Sequence, residues 1–212
     1  MFLFLLATYC TFVPPSGWEI AQLKTPSPHI KIGFIGQGSK EFRPSLNLAT
    51  EEVDVSLTKY VQAVKELHLN DPTIQWRDLG KLQMQSGPGR LVEMSNTTPF
   101  GDIKIFQAFF IKNETAYILT AAILKEDFPK FQQEILKSLQ SLTLIEDLSS
   151  PIADAKKRAE FQSLFAALGS SEEKEAEWEK LQTQVSANAS LGPYWQFLAL
   201  QEGRAKIYPA SK

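Results

Sequence analysis

The most constraining feature of the chain is a pair of nine-residue apolar runs, IKIFQAFFI (Ile103 to Ile111) and TAYILTAAI (Thr115 to Ile123), set around Lys112-Asn113-Glu114. A short polar link between two such runs predicts an antiparallel hairpin. Apolar residues stand at both parities in each run, so both faces of both strands must be covered. The hairpin therefore belongs at the centre of a sheet with a layer on either side.

Helices supply those layers. In SLTKYVQAVKELHL the residues Leu57, Tyr60, Val61, Val64 and Leu67 recur at spacings of three and four, Lys59, Gln62, Lys65 and Glu66 face away, and Ser56 suits the N-cap. A second helix is predicted after the hairpin, with Glu126 or Asp127 at its start, Pro129 in its first turn, and Phe128, Phe131, Ile135 and Leu139 as its buried stripe. Ile30 to Gln37, Leu46 to Val53, Thr73 to Gln85 and Leu91 to Ser95 read as strands, with GPGR (Gly87 to Arg90) as the turn between the last two. Thr11 to Gln37 as a whole reads as short extended segments punctuated by Pro14, Pro15 and Gly17. Strands, helix, strands, helix: the order predicts an α+β fold, an antiparallel sheet sandwiched between helices. A hydrophobic content of 43% in 212 residues suffices for its core.

At Leu148 to Pro151 the composition shifts toward helix formers. Phe161, Leu164, Phe165 and Leu168 form one stripe that Gly169 is placed to end; Ser170-Ser171-Glu172-Glu173 has the pattern of a capping box before a helix carrying Trp178, Leu181 and Val185. Gly192-Pro193 breaks that helix, and a third, short one is expected over Tyr194, Trp195 and Leu198, ahead of a polar end at Arg204 to Lys212. Three segments result: an apolar N-terminal stretch (1–10), the sandwich domain (11–147) and an appended C-terminal helical region (150–212).

Little in the sequence points to catalysis. The formal charge of −2 and pI near 5.8 leave no basic footprint for nucleic acid, and the single cysteine, Cys10, excludes an intrachain disulfide and a thiolate zinc site. GFIGQGSK (Gly33 to Lys40) is glycine-rich after a strand, yet Ser39 precedes Lys40 and no helical period follows, so a flexible turn is the expectation rather than a phosphate cradle. His29 and His68, the two histidines, have no carboxylate or cysteine at ligand spacing, and no GxSxG elbow accompanies them. Glu51, Glu52 and Asp54 are an acidic cluster expected to precede the positive end of the first helix rather than hold a cation, and Glu172 to Glu179 reads as a solvated face. No catalytic, metal-binding or cofactor-binding residue is assigned, and no cofactor is expected. Sequons begin at Asn96, Asn113 and Asn188. The aromatic residues Trp178, Tyr194, Trp195 and Phe197 exceed what a peripheral helix pair needs unless they dock, either back onto the sheet domain or against a protein partner.

The phrases FVPPSGW (Phe12 to Trp18), FRPSLNL (Phe42 to Leu48), SLTKYV (Ser56 to Val61) and AYILTA with EDFPKF and SL (Ala116 to Leu142) together resemble the PsbP-like superfamily. Its members include the extrinsic photosystem II protein, a Ran-binding nuclear-import factor, and bacterial envelope lipoproteins and secretion adaptors. The resemblance covers residues 11 to 145. It implies a sheet of six or seven antiparallel strands between helices, a first strand over Phe12 to Trp18, and a non-enzymatic role in binding an as yet unknown protein. A bacterial adaptor, linked to the envelope or to secretion, is the expected function. The rivals are a hydrolase or metal-dependent enzyme with a site assembled in space, and a small-ligand binder with an apolar cavity under the sheet.

No apolar run approaches the ~20 residues of a spanning helix, so any membrane association would run through the N-terminus. There Phe2 to Ala7 has the character of an export-signal core, but no Lys or Arg precedes Lys24, and Tyr9 rather than a small residue precedes Cys10. An export signal behind a misassigned start and a cytoplasmic N-terminal strand both stay open, and with them an exported or envelope location and a cytoplasmic one.

Overall fold

The computed structural model describes residues 9–22, 27 and 29–209; the apolar stretch Phe2 to Ala7 lies outside them. The elements are β1 (Tyr9–Thr11), β2 (Glu19–Ile20), β3 (Ile30–Ile35), β4 (Ser45–Glu52), α1 (Leu57–Leu69), β5 (Gln75–Met84), β6 (Gly87–Thr98), β7 (Gly101–Lys112) and β8 (Thr115–Leu124). They continue with α2 (Phe128–Gln140), β9 (Thr143–Ile145), α3 (Ala155–Ala167), α4 (Lys174–Ser186), a 3-10 turn at Ala189–Leu191, and α5 (Pro193–Ile207). The chain divides into two compact units, Pro14–Ser141 and a second made of the N-terminal segment through Val13 with Leu142–Lys212.

The first unit is built on a seven-stranded sheet in the order β2-β3-β4-β8-β7-β6-β5, antiparallel at every pairing. The apolar hairpin is β7–β8, with β8 at the centre of the order. Its two-residue turn places Asn113 at φ 50° and Glu114 at φ 57°, the left-handed pair whose twist matches that of the flanking strands. On one face α1 lays Leu57, Tyr60, Val61 and Val64 over Val92, Phe109 and Ile118. Ser56 caps it, its hydroxyl accepting the Lys59 N–H at 3.4 Å. Leu67, expected in the buried stripe, is 69% exposed, so α1 seals the sheet through its earlier turns only.

In α2, Phe131, Ile135 and Leu139 are buried; Phe128 stacks on Phe106 of β7 and Phe131 meets Trp18 edge-on. Phe106, packed by α2, and Phe109, packed by α1, stand at opposite parity on β7 and so on opposite faces of the sheet, which completes the α/β/α layering of this unit.

The expected first strand and the expected β5–β6 turn both fall elsewhere. Phe12 to Trp18 is not a strand: Pro14 and Pro15 cannot donate to a ladder, and the extended pairs lie on either side of it, at β1 and β2. GPGR is not the reversal between β5 and β6 either. That turn is at Gln85–Ser86, and Gly87 to Arg90 already pair with Met84 to Lys81. Pro88 is tolerated because the β7 ladder begins only at Arg90, and Gly89 is required because a Cβ there would stand 2.5 Å from the Phe109 carbonyl oxygen.

The second unit pairs β1 with β9 and gathers α3, α4 and α5 around a core of Phe161, Leu181, Val185 and Trp195. Cys10, opposite Leu144, is buried, and burial raises its thiol pKa. Asp154 caps α3 by accepting the Lys157 N–H at 2.9 Å. The capping-box expectation fails: α4 begins at Lys174 with no side-chain cap, and Ser171 accepts only the Glu173 N–H in the loop. Glu177 takes over the loop, its carboxylate accepting the N–H groups of Gly169 (2.9 Å) and Ser171 (3.2 Å). Nor is α5 short. Trp195, Ala199, Gly203 and Ile207 recur every fourth residue on one buried stripe, and Gly203 lets Leu181 approach where any Cβ would collide with it at 2.1 Å.

Candidate functional site

A cleft of about 450 Å³ opens in the sheet unit between α1 and strands β5 and β6. From α1 come Leu57, Thr58, Val61, Gln62 and Lys65, whose spacing puts them along one side of the helix. From β5 come Trp76, Asp78 and Lys81. Strict alternation would turn residue 81 to the opposite face from Asp78, but the register shift between Asp78 and Gly80 restores it to the cleft side. Gly80, at φ +93°, occupies a backbone region that the bulge demands and other residues adopt at a cost. Pro88, Gly89 and Arg90 of β6 complete the lining.

The electrostatics follow from one saturated pair and two lysines. Arg90 donates to both Asp78 oxygens, from Nε at 2.9 and 3.1 Å and from Nη2, and the Gly80 N–H donates to Oδ1 at 2.9 Å. The Arg90 hydrogen bonds hold the Asp78 carboxyl below its usual range, assisted by the Gly80 N–H and by the charges of Arg90 and Lys65. Lys65 and Lys81 take part in no ion pair among the described residues. Trp76 is half-buried, with His68 beside it at 6.0 Å between ring centroids. The cleft thus has an apolar floor, an aromatic wall and a cationic rim in a chain of net negative charge.

No family model and no curated protein sequence matches the chain. Solved structures do. The crystal structure of LpqN, involved in cell envelope biogenesis of Mycobacterium tuberculosis, aligns at a TM-score of 0.51 and 13% identity over 65% of this chain and 84% of that one. The likeness is one of fold, an antiparallel sheet between helices of the α+β class. Cyanobacterial PsbP from Synechocystis also aligns (TM-score 0.44, 11% identity, 68% of this chain and 95% of that chain). So does the Ran-binding protein Mog1p of Saccharomyces cerevisiae (0.43, 16%, 63% and 89%). The seven antiparallel strands fall within the number expected for a PsbP-like sheet.

The aromatic residues singled out in the sequence lie in the helical unit instead. Tyr194 and Trp195 are 3% and 1% exposed in the second unit's interior, Tyr194 against Phe12 and Trp195 with its Nε1–H donated to the Leu148 carbonyl at 2.9 Å. Trp178 and Phe197 are half-buried. A shallow groove between α3 and α4, lined by Leu164, Ala176, Glu179 and Thr183, lies in the same unit.

His29 is exposed in the turn before β3, and His68 lies in the last turn of α1. In the glycine-rich loop the Ser39 N–H donates to Asp127 at 3.0 Å and Lys40 reaches Glu126 at 2.8 Å, so an incoming phosphate would face two carboxylates already in place. Glu51 accepts the Tyr60 hydroxyl at 2.6 Å, which ties the acidic cluster to α1. Among the described residues no group of three or more metal-ligating side chains converges, and no helix is long and apolar enough to cross a membrane. Of the sequons, Asn113 is exposed in the β7–β8 turn, whereas Asn188 is buried with its amide donated to the Gln184 carbonyl.

Proposed function

We propose that the chain is a non-catalytic protein-binding protein, an adaptor, whose sheet unit binds its partner through the α1–β5–β6 cleft. The observation that carries this reading is the state of the cleft's one carboxylate. Asp78 is clamped bidentately by Arg90 and kept ionised, which suits it to position the guanidinium and unsuits it to move protons near neutral pH. What remains available is an apolar floor, an indole and two lysines: groups that bind. The PsbP-like resemblance, with its implied non-enzymatic role, supports the same conclusion. The helical unit offers a second surface through Trp178 and Phe197, for which Tyr194 and Trp195 act as the internal scaffold.

The test is co-purification with the full chain from its native host. Lys65→Glu with Lys81→Glu is compared with a variant of equal charge change, Lys112→Glu with Lys137→Glu, whose exposed lysines lie off the cleft. Proteins bound through the cleft disappear from the first variant and persist in the second. Identical recovery from both would remove the cleft from the function and leave the helical surface to be examined by Phe197→Ala.

A further inference from the structure

Resting on the reading of the cleft as a protein site, we infer that its occupant is a short acidic segment, bound as an extended strand alongside β5. Three features of the sheet unit converge on that chemistry.

The first is charge. Lys65 on α1 and Lys81 on β5 flank the cleft without ion-pair partners among the described residues, while Arg90 and Asp78 neutralise each other and leave the two lysines as the net charge of the cleft. A carboxylate entering between the two lysines gains two charge-assisted contacts and displaces no existing pair. Beside them Leu57, Val61, Trp76 and Pro88 offer apolar contact, so the fitting segment carries both acidic and apolar side chains among the alternate positions that face the cleft.

The second is position in the sheet. β5 ends the strand order, so among the described residues no strand lies on its outer side. Trp76, Asp78 and Lys81 all stand on this edge strand, which puts the cleft directly against a row of backbone donors and acceptors. A small anion could use the lysines but not that row. A polypeptide can use both, with main-chain hydrogen bonds supplying affinity and alternate side chains entering the cleft.

The third is the bulge. The shift between Asp78 and Gly80 interrupts the edge, and bulges of this kind discourage flat sheet-to-sheet pairing. Exposed Arg77, Asp78 and Lys81 reinforce that protection against indiscriminate association. The edge therefore admits a short strand of complementary charge in preference to a second sheet.

The experiment is a titration of the ¹⁵N-labelled full chain with a blocked hexapeptide, Glu-Ser-Leu-Ser-Glu-Ser, whose alternate positions set two carboxylates and a leucine on one face. Its counterpart with lysine in place of glutamate, and decanoate as a small anionic amphiphile, serve as the other probes. The acidic peptide is expected to shift the Trp76 indole and the backbone amides of β5, with affinity falling at least about tenfold between about 50 and 500 mM salt. In Lys65→Glu with Lys81→Glu the response disappears; should that variant lose its fold by circular dichroism, Lys81→Gln alone is used and must weaken binding.

Equal shifts from the lysine peptide, or no shift from the acidic one at millimolar concentration, overturn the assignment. Shifts from decanoate without any from the peptide also overturn it, in favour of a small anionic ligand. If the capture experiment succeeds while the peptide fails, the cleft stands as a protein site and the acidic strand does not.

Discussion

Trp195 shows what the helical unit asks of one residue. Its indole is buried among Phe161, Leu181 and Val185, and its Nε1–H satisfies the carbonyl of Leu148, itself 2% exposed. Trp195→Phe keeps an aromatic ring but leaves that acceptor unpaired and a gap beside it. A loss of about 2–4 kcal/mol is expected, read as a lowered urea midpoint at unchanged slope. A surface aromatic would show almost no change. At sequence level Trp195 and Trp178 look alike, since each is an aromatic on a helix; only packing separates the buried one from the half-buried one. Asp78 is similar. Its sequence neighbours Arg77 and Leu79 say nothing of Arg90, twelve residues away, which clamps it across the β5–β6 hairpin.

At the scale of elements, what could be read from the sequence was what depends on near neighbours. The β7–β8 hairpin follows from two apolar runs and a polar link, and Asn113 and Glu114 take the left-handed conformations that such a link needs. Glycine adopts that conformation without a Cβ penalty, so Glu114→Gly is expected to stabilise the chain by about 0.5–1 kcal/mol, seen as a raised melting temperature. The same reasoning misplaces the β5–β6 turn. GPGR has turn composition, yet Gly89 is there to let β7's backbone and Met84 come close, a requirement set by strands distant in sequence. Likewise α5 was expected to stop early because Arg204 and Lys206 are polar, while Gly203 and Ile207 continue a buried stripe at every fourth position. The cleft was not legible at all: its residues come from three elements, and Lys65 and Lys81 each resemble an ordinary solvated lysine until the bulge brings one opposite the other's helix.

For the whole molecule, the ionisable groups define a pH window. Hydrogen bonds lower the carboxyl pKa of Asp71 (from Thr73), Asp78 (from Arg90) and Asp154 (from Lys157) beneath the ordinary 3.8. A folded pKa below the unfolded one contributes stability above the unfolded value and loses it as pH falls through the folded value. At the other end, burial raises Cys10, Tyr60 and Tyr194 above the ordinary 9.0 for the thiol and 10.0 for the phenols. Their contribution is intact below those values and is lost as pH rises past them. Urea midpoints are thus expected to hold level between about pH 5 and 8 and to fall on both sides, with the alkaline fall reduced in Tyr60→Phe.

The measurement that bears most directly on the central claim is site-specific photo-crosslinking in the native host, with benzoylphenylalanine in place of Gln62 at the cleft mouth or of Gln133 on the exposed side of α2. A discrete protein adduct from position 62, absent from 133 and suppressed by Lys65→Glu with Lys81→Glu, is the predicted result. Adducts of equal yield and identity from both positions, or an adduct at 62 indifferent to the lysines, would contradict it.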